Sequence, residues 1–294
     1  VYIRKSQIHN ILKRVKTEEV PSHLLTRFEE EKEQKERDRR ERAEAVKYVN
    51  IRVATDRDLT QHEGSELVKI TTIQPIKMLK SAPVSELKAI LFETYGVPPE
   101  RQKLWRWDKR QNKTIRPDHP FDPERFDALP VEKLSTGSSD IPLYLEVSKA
   151  PEDELPFRPF SKQEILLFIK SYDPATSKLS YVESRMFDKS LLVGQIEPTL
   201  KSIVGIPENE DISVFEEVRP DMVQRLDPKL TLHSCELVNG DILIVQKSLT
   251  EEEMSQYQYP TPIPYFEYLL QRINIEVCKL EAPDKVVCVV ELLK

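Results

Sequence analysis

The fold prediction rests on two short segments, Tyr95-Gly96-Val97-Pro98 and Val204-Gly205-Ile206-Pro207. Each follows a stretch with the apolar periodicity of a helix, and each has the residues that end one. The glycine adopts the left-handed conformation, the next apolar residue packs back onto the helix, and the proline cannot continue it. Because this signal occurs twice at matching places, it indicates an internal repeat of about 85–105 residues.

The residues around each signal predict the same order of elements: strand, strand, helix, strand, loop and strand. In the first repeat we expect a helix over Val84–Tyr95 and an irregular loop over Arg110–Gly137, and in the second a helix from Asp188 to about Val204. Such an order gives a mixed sheet crossed by one helix. The sequence therefore predicts an α+β chain with two tandem β-grasp domains, and another α+β sandwich topology is the alternative. The predicted strands are 48–56, 68–78, 103–107, 142–147, 164–172, 179–187, 212–218 and 241–246.

The residues outside the two repeats predict a helical linker and the start of a third repeat. Residues 29–45 hold eight acidic and six basic side chains and no aliphatic one larger than alanine. Pairs such as Glu31/Lys35 and Glu36/Arg40 have the i,i+4 spacing, acid before base, that stabilises an exposed helix. A long charged helix is therefore expected, with a disordered charged run as the alternative. The expected divisions are 1–5 (the end of a strand), 6–47 (helical linker), 48–149 (first domain), 150–160 (linker), 161–248 (second domain) and 249–294 (connector, short helix and opening hairpin of a third unit).

Composition excludes several classes of enzyme. The 294 residues include six glycines, and no two of them lie closer than eleven residues. The phosphate-binding loops GxGxxG and GxxxxGK[ST] need closely spaced glycines and cannot form. The net charge of −6 is too small to identify a partner, and no apolar run approaches the ~20 residues that span a bilayer. We therefore expect neither a nucleotide cofactor nor a membrane contact.

Cysteine and histidine are too sparse to predict catalysis or metal binding. Cys235, Cys278 and Cys288 form no CxxC pair, and the five histidines never supply a two-plus-two zinc spacing. Cys278 and Cys288 alternate with apolar residues as in buried strands, and Cys235 follows His233 without an orienting third group. We expect no catalytic residue, no metal and no cofactor, and a reducing intracellular compartment.

The first candidate binding surface is basic. The segment Arg101–Arg116 holds seven basic residues against the single acid Asp108, with Trp105 and Trp107 interleaved. Alternate spacing places both indoles on one face of a strand. In one interpretation the indoles pack on the core helix and the basic side chains are solvated, and in the other the surface stacks and binds nucleic acid. The candidate residues are Arg106, Lys109, Arg110 and Lys113.

The second candidate surface is acidic and belongs to the second domain. Residues 208–217 contain five acids and no base, and the turn over Glu236–Asp241 adds two more acids around Asn239-Gly240. An Asn-Gly pair is a common tight turn, so one interpretation of this loop is geometric. The other is an acidic rim that receives Lys or Arg side chains of a partner. The candidate residues are Glu216, Glu217, Glu236, Asn239 and Asp241.

Several motifs together resemble one known family. VYIR (1–4), the charged segment EEEK…RDRRERAEA (29–45), LWRW (104–107), KSYDP (170–174), FEEVRP (215–220) and ELVNGDILIVQK (236–247) occur in this order. They resemble the herpesvirus-associated ubiquitin-specific protease family over nearly all of the chain. The resemblance implies a linker helix, two ubiquitin-like domains and the start of a third, all following the family's catalytic domain.

The resemblance also implies a function. In this family an acidic patch on the second ubiquitin-like domain receives Lys-rich segments of substrates and regulators. Glu236 and Asp241 match acids of that patch, whereas Cys235 and Asn239 stand where the family has two others. The resemblance further implies a deubiquitinase with thiol-protease chemistry, catalytic residues that lie before residue 1, a contact between the linker helix and the catalytic domain, and a location in the nucleus and cytoplasm.

Together these observations predict a non-catalytic segment that recruits substrates and regulators to a deubiquitinase. Two alternatives remain. One is nucleic-acid binding through Arg101–Arg116, and the other is a mechanical spacer between a catalytic head and a regulatory tail.

Overall fold

The computed structural model describes residues 22–135, 137–151, 154–157, 161–279 and 282–293. The chain divides into two units, Val1–Val49 and Asn50–Lys294. Residues 1–21 are not among the described residues. The predictions that residues 1–5 end a strand and that the linker begins at residue 6 concern this part of the chain. In the described part of the chain, no helix is both long and apolar enough to cross a membrane.

The helix α1 (Ser22–Ala45) carries the charged segment, and nearly all of its described side chains are exposed. Exposed pairs of acidic and basic side chains at i,i+4 contribute ~0.2–0.5 kcal/mol each to such a helix. Asp38 accepts a hydrogen bond from Gln34 (2.7 Å). The predicted pairs with nitrogen and oxygen atoms 3.9–4.0 Å apart are Glu31–Lys35, Glu33–Arg37 and Glu36–Arg40.

Domain 1 is a five-stranded sheet crossed by one long helix. Its elements are β1 (Tyr48–Ala54), α2 (Asp56–Gln61), β2 (Ile76–Leu79), α3 (Val84–Tyr95), β3 (Gln102–Lys109), β4 (Ile115–Pro120), α4 (Pro123–Phe126) and β5 (Asp140–Val147). The strand order is β2-β1-β5-β3-β4. The central strands β1 and β5 are parallel, and β3 is antiparallel to both of its neighbours, so the sheet is mixed.

Domain 2 repeats this arrangement. Its elements are β6 (Glu164–Asp173), β7 (Lys178–Asp188), α5 (Val193–Val204), β8 (Ile212–Arg219), β9 (Met222–Arg225) and β10 (Asp241–Lys247). The strand order β7-β6-β10-β8-β9 is equivalent to that of domain 1, again with a parallel central pair, β6 and β10. The predicted α+β class with two mixed sheets is therefore confirmed.

The two helix-stop signals form as predicted. Gly96 has a φ of 71° and Gly205 a φ of 75°, both in the left-handed region. The amide of Gly96 donates to the carbonyl of Phe92 (2.8 Å), and the amide of Ile206 donates to the carbonyl of Lys201 (2.9 Å). These bonds satisfy carbonyls that the end of each helix would otherwise leave without a donor.

The prediction of a strand over 68–78 is wrong for most of its length. Residues 70–72 form a 3₁₀ helix, and the strand β2 covers Ile76–Leu79. Pro75 has no amide to donate to a ladder. The guanidinium of Arg52 instead donates to the carbonyls of Thr71 and Ile73, which satisfies this backbone without strand pairing.

The predicted loop over Arg110–Gly137 contains β4 and α4, and the sequence pattern also missed β9. Both β4 and β9 are edge strands, and an edge strand tolerates prolines such as Pro117 and Pro120 that would interrupt a central strand. The helix α5 begins at Val193 rather than after Asp188. The Asp188 carboxylate instead accepts the amide of Ser190 (2.8 Å) in the preceding turn.

Strands β6 and β10 are apolar on both faces because each face is covered. One face of β6 carries Leu167 and Ile169, which pack with Val193, Ile196 and Leu200 of α5. The other face belongs to an apolar cluster that the two domains share. This near-continuous apolar pattern is typical of strands that are buried on both sides. The shared cluster includes Leu67, Trp105, Trp107, Tyr144, Leu166, Phe168, Phe215, Ile242 and Ile244.

The C-terminal residues form a connector and a hairpin. The elements are α6 (Glu251–Met254), α7 (Pro262–Gln271), β11 (Arg272–Lys279) and β12 (Ala282–Leu293). Tyr265 and Phe266 of α7 join the cluster between the sheets. The antiparallel pairing of β11 with β12 confirms the predicted hairpin, whereas its place in a third unit stays a prediction. The predicted burial of Cys278 and Cys288 concerns side chains outside the described ones.

We expect Gly240→Ala to destabilise the protein more than Gly205→Ala. Both glycines have positive φ, which costs alanine roughly 1–2 kcal/mol. A Cβ at Gly240 would lie 2.2 Å from the carbonyl oxygen of Pro117, whereas a Cβ at Gly205 would meet nothing within 4 Å. Urea unfolding of the two variants measures the difference. Equal losses of free energy would contradict the close approach of the two domains at Gly240.

Candidate functional site

The predicted acidic residues surround the turn that leads into β10. The amide of Asp241 donates to the carbonyl of Val238 (3.2 Å), and the Asp241 carboxylate accepts the amide of Val238 (2.8 Å). Gly240 and Glu236 both have positive φ, 86° and 62°. These contacts confirm a tight turn at Asn239-Gly240, and they hold the Asp241 carboxylate at the edge of domain 2.

A guanidinium of domain 1 is bound at this turn. Arg110 Nη1 donates to the Asp241 carboxylate, and Nη2 donates to the main-chain carbonyl of Asn239. The side chains of Arg110 and Asp241 are 16% and 8% exposed. The structure therefore brings together one residue of the predicted basic surface and two of the predicted acidic surface.

Asn239 connects the domains through its side chain. Its Oδ1 accepts the amide of Leu166 (2.9 Å), and its Nδ2 donates to the carbonyl of Asp118 in domain 1 (3.1 Å). A carboxylate at this position could accept hydrogen bonds but could not donate one to a carbonyl. Asparagine at 239 therefore fits a contact between domains that an acidic residue could not make.

Glu217 lies between the sheets and is 1% exposed. Its carboxylate accepts from Lys170 Nζ (3.0 Å) and from the amide of Glu66, and Arg116 Nη2 lies 3.7 Å away. Arg116 also pairs with the Glu66 carboxylate (2.7 Å). Burial raises the pKa of Glu66 and lowers the pKa of Lys170. This ion cluster (Glu66, Arg116, Lys170 and Glu217) faces the interior, so Glu217 has no surface to offer a partner in this arrangement.

We expect Glu217→Gln to lower the free energy of unfolding by about 3 kcal/mol. Removing one member of a buried ion cluster leaves the remaining charge uncompensated. Glu236→Gln is the matched control, because Glu236 is exposed and its substitution should change stability by less than ~0.5 kcal/mol. Urea denaturation followed by circular dichroism compares them. Similar midpoints for the two variants would refute a stabilising role for the ion cluster.

Glu216 lies on the opposite face of β8 from Glu217 and is 6% exposed. Its Oε2 accepts a hydrogen bond from Gln224 Nε2 (2.8 Å). Burial raises the pKa of Glu216 to about 7, and the neighbouring Asp241 carboxylate adds to the rise. The net charge around the Asn239-Gly240 turn therefore changes near neutral pH.

We expect the wild type to lose stability relative to Glu216→Gln as the pH rises from about 4.5 to 7. The unfolded Glu216 has an ordinary pKa of 4.5, and the folded one a pKa of about 7. In that window the folded chain binds a proton that the unfolded chain has lost, so the free energy of unfolding falls with pH. Urea unfolding at pH 5, 6, 7 and 8 measures this, and parallel profiles would exclude the raised pKa.

Glu236 is the exposed acid of the five predicted residues. It follows Cys235, a free and partly buried thiol whose pKa is raised, chiefly by burial and further by Glu216. The buried Leu237 anchors the segment through its amide, which donates to the carbonyl of Leu232 (3.1 Å). Glu236 is thus held on a fixed loop with its carboxylate available to a partner.

The predicted basic surface is divided between paired and solvated side chains. Arg106 is bound to both oxygens of Asp108 (2.9 and 3.1 Å), and Arg110 is bound at the acidic turn. Lys109 and Lys113 are exposed. One interpretation placed the indoles on the core helix, but Trp105 and Trp107 belong to the cluster shared by the two sheets.

Because the Trp105 and Trp107 indoles are buried, they cannot form the aromatic part of a nucleic-acid-binding surface. Trp105 is 0% and Trp107 5% exposed. The Trp105 indole also donates to Glu146 (2.7 Å), which fixes its orientation. Base stacking needs an exposed ring face, and neither indole offers one in this arrangement.

One group of described residues has the side chains of a metal site: Asp108, Asp118 and His119. His119 Nδ1 lies 2.8 Å from Asp108 and 3.1 Å from Asp118. Burial would raise the pKa of Asp108, but hydrogen bonds from Arg106 and His119 outweigh it and lower the pKa. Because Arg106 already holds both Asp108 oxygens, its positive charge opposes a second cation there.

Sequence reasoning missed a further contact between the domains, which is centred on Asp56. The hydroxyls of Tyr144 in domain 1 and Tyr181 in domain 2 both donate to Asp56 Oδ1 (2.7 Å each), and Tyr144 also contacts Ser184 (2.8 Å). Burial raises the pKa of both phenols. The partners are 88 and 125 residues from Asp56, so no local pattern could have identified them.

Comparison with known proteins places the chain in a family whose model describes a domain of a ubiquitin-specific protease. The family described as "ICP0-binding domain of Ubiquitin-specific protease 7" matches residues 102–294, more than half of the chain. The chain belongs to this family, and the predicted resemblance is confirmed.

The relatives are ubiquitin hydrolases by name. Ubiquitin C-terminal hydrolases 13 and 12 of Arabidopsis thaliana are 32% and 33% identical over 307 and 306 residues, covering 100% of this chain and 27% of each relative. Ubiquitin carboxyl-terminal hydrolase 7 of Drosophila melanogaster is 24% identical over 294 residues, covering 97% of this chain and 25% of that protein. The chain thus spans about a quarter of the length of these relatives.

Proposed function

We propose that this chain is a non-catalytic recruitment segment of a cysteine-type deubiquitinase. In this proposal the acidic edge of domain 2, formed by Glu236, Asp241 and the Asn239 carbonyl, captures Lys-rich segments of substrates and regulators. The buried Glu216 lies behind it, next to Asp241. The names of the relatives support ubiquitin hydrolysis by the longer protein. The family is described as one that binds the protein ICP0, which supports a protein partner.

The observation that carries this proposal is that the acidic edge already holds a basic side chain. Asp241 and the Asn239 carbonyl accept two hydrogen bonds from the guanidinium of Arg110. Hydrogen bonds in which the donor or the acceptor is ionised are about twice as strong as neutral ones. The exposed Glu236 adds a negative charge on the adjoining loop, and such charge favours encounter with a cationic segment.

The proposal assigns roles to the rest of the chain. The strand order of the two sheets is that of ubiquitin-like domains, and β11 with β12 opens a third such domain. The helix α1 is a linker to the thiol-protease catalytic domain and contacts it. Its 24 residues extend about 36 Å at 1.5 Å per residue, enough to separate two domains. The longer protein acts in the nucleus and cytoplasm.

We expect Glu236→Lys to weaken binding of hexa-lysine, a minimal Lys-rich probe, roughly tenfold, because the change replaces attraction by repulsion. Glu132→Lys, which changes the same charge at an exposed site of domain 1, should leave the affinity nearly unchanged. Calorimetry of the whole chain at two salt concentrations measures both. Unchanged affinity of a folded Glu236→Lys variant would refute the acidic edge as the binding site.

A further inference from the structure

Arg110 reaches the acidic edge from a turn whose backbone is held independently of its side chain. The turn joins β3 to β4, and the Arg110 amide donates to the carbonyl of Thr114 (2.9 Å). Asn112 Oδ1 accepts the amide of Thr114 (3.1 Å), and Asn112 Nδ2 donates to Val218 of domain 2 (3.2 Å). The turn therefore stays in place whether or not the Arg110 guanidinium is bound.

The acceptors around that guanidinium match its planar fork. Two different nitrogens of Arg110 donate to two different acceptors, the Asp241 carboxylate and the Asn239 carbonyl. An arginine presents such donors in a fixed plane, whereas the lysine ammonium is a compact point charge. Asp241 Oδ2 is used separately, by the amide of Val238 (2.8 Å), which fixes the plane of the carboxylate. The site is thus shaped for a guanidinium.

The bound Arg110 side chain is not fully enclosed by the protein. The Arg110 side chain keeps 16% of its surface exposed, and Glu236 on the adjoining loop is exposed. The contacts that join the domains here, Asn239 with Asp118 and the ion cluster around Glu217, do not involve the Arg110 side chain. Release of Arg110 from Asp241 would therefore leave these contacts between the sheets intact.

We propose that Arg110 is a built-in competitor at the acidic edge, and that a partner binds there by inserting an arginine guanidinium in its place. This inference rests on the proposed function and adds two points to it. The chain's own domain 1 occupies the site in the absence of a partner, and arginine is preferred over lysine at Asp241 and the Asn239 carbonyl.

Competition of this kind multiplies the apparent affinity by the fraction of time for which the site is free of Arg110. An apparent dissociation constant equals the intrinsic one divided by the fraction of competent molecules. If Arg110 occupies Asp241 about nine-tenths of the time, its removal strengthens binding about tenfold. The gain should be larger for arginine than for lysine, because the vacated acceptors match the guanidinium fork.

The test compares hexa-arginine with hexa-lysine, two probes of equal charge, by calorimetry on the whole chain. We expect Arg110→Ala to bind hexa-arginine about tenfold more tightly than the wild type, with a smaller gain for hexa-lysine. Lys109→Ala is the matched control, because it removes the same charge from an exposed neighbour on β3. Its affinities should stay within about twofold of the wild type. The double variant Arg110→Ala/Asp241→Asn should lose the gain.

The outcomes separate this inference from the proposed function. Equal affinities of Arg110→Ala and Lys109→Ala, with binding still sensitive to Glu236→Lys, would overturn the inference and leave the proposed function standing. Equal gains for both peptides would overturn the preference for arginine. No binding of either peptide to any folded variant would overturn both proposals. If Arg110→Ala does not fold, Arg110→Lys keeps the charge and removes the fork, and an unchanged hexa-arginine affinity would then refute the competition.

Discussion

The buried carboxylate of Glu217 is the contact on which the relation between the two sheets depends. It accepts a charged hydrogen bond from Lys170 within domain 2 and contacts the amide of Glu66 and the guanidinium of Arg116 in domain 1. Two cations and two anions meet there, so the charges balance. A slip of one sheet against the other would leave a buried charge unpaired, which disfavours other arrangements.

The acidic edge inherits its geometry from this arrangement. With the sheets held together, Gly240 packs against Pro117, and Arg110 comes within reach of Asp241. The predicted basic and acidic surfaces, which look like separate binding sites in the sequence, therefore contact each other through Arg110 and Asp241. In the proposed function, the residues left for an external partner are the exposed Glu236 and the acceptors that Arg110 occupies.

Much of the fold could be predicted because its signals are local. Gly96 and Gly205 end their helices through left-handed backbone, and the apolar run 165–169 marks a strand that is covered on both faces. Edge strands were harder to predict. The strand β4 contains Pro117 and Pro120, and its pairing with β3 depends on the sheet rather than on its own pattern.

The α+β class, the internal repeat, the family motifs and the two charged segments could be predicted from the sequence, because the signals for each lie within a few neighbouring positions. Which of the charges are available depends on the tertiary structure. Asp241 lies 131 residues from Arg110, and Glu66 lies 151 from Glu217. Burial and pairing between such distant residues arise from packing of the two sheets, and so they leave no periodic trace in the chain.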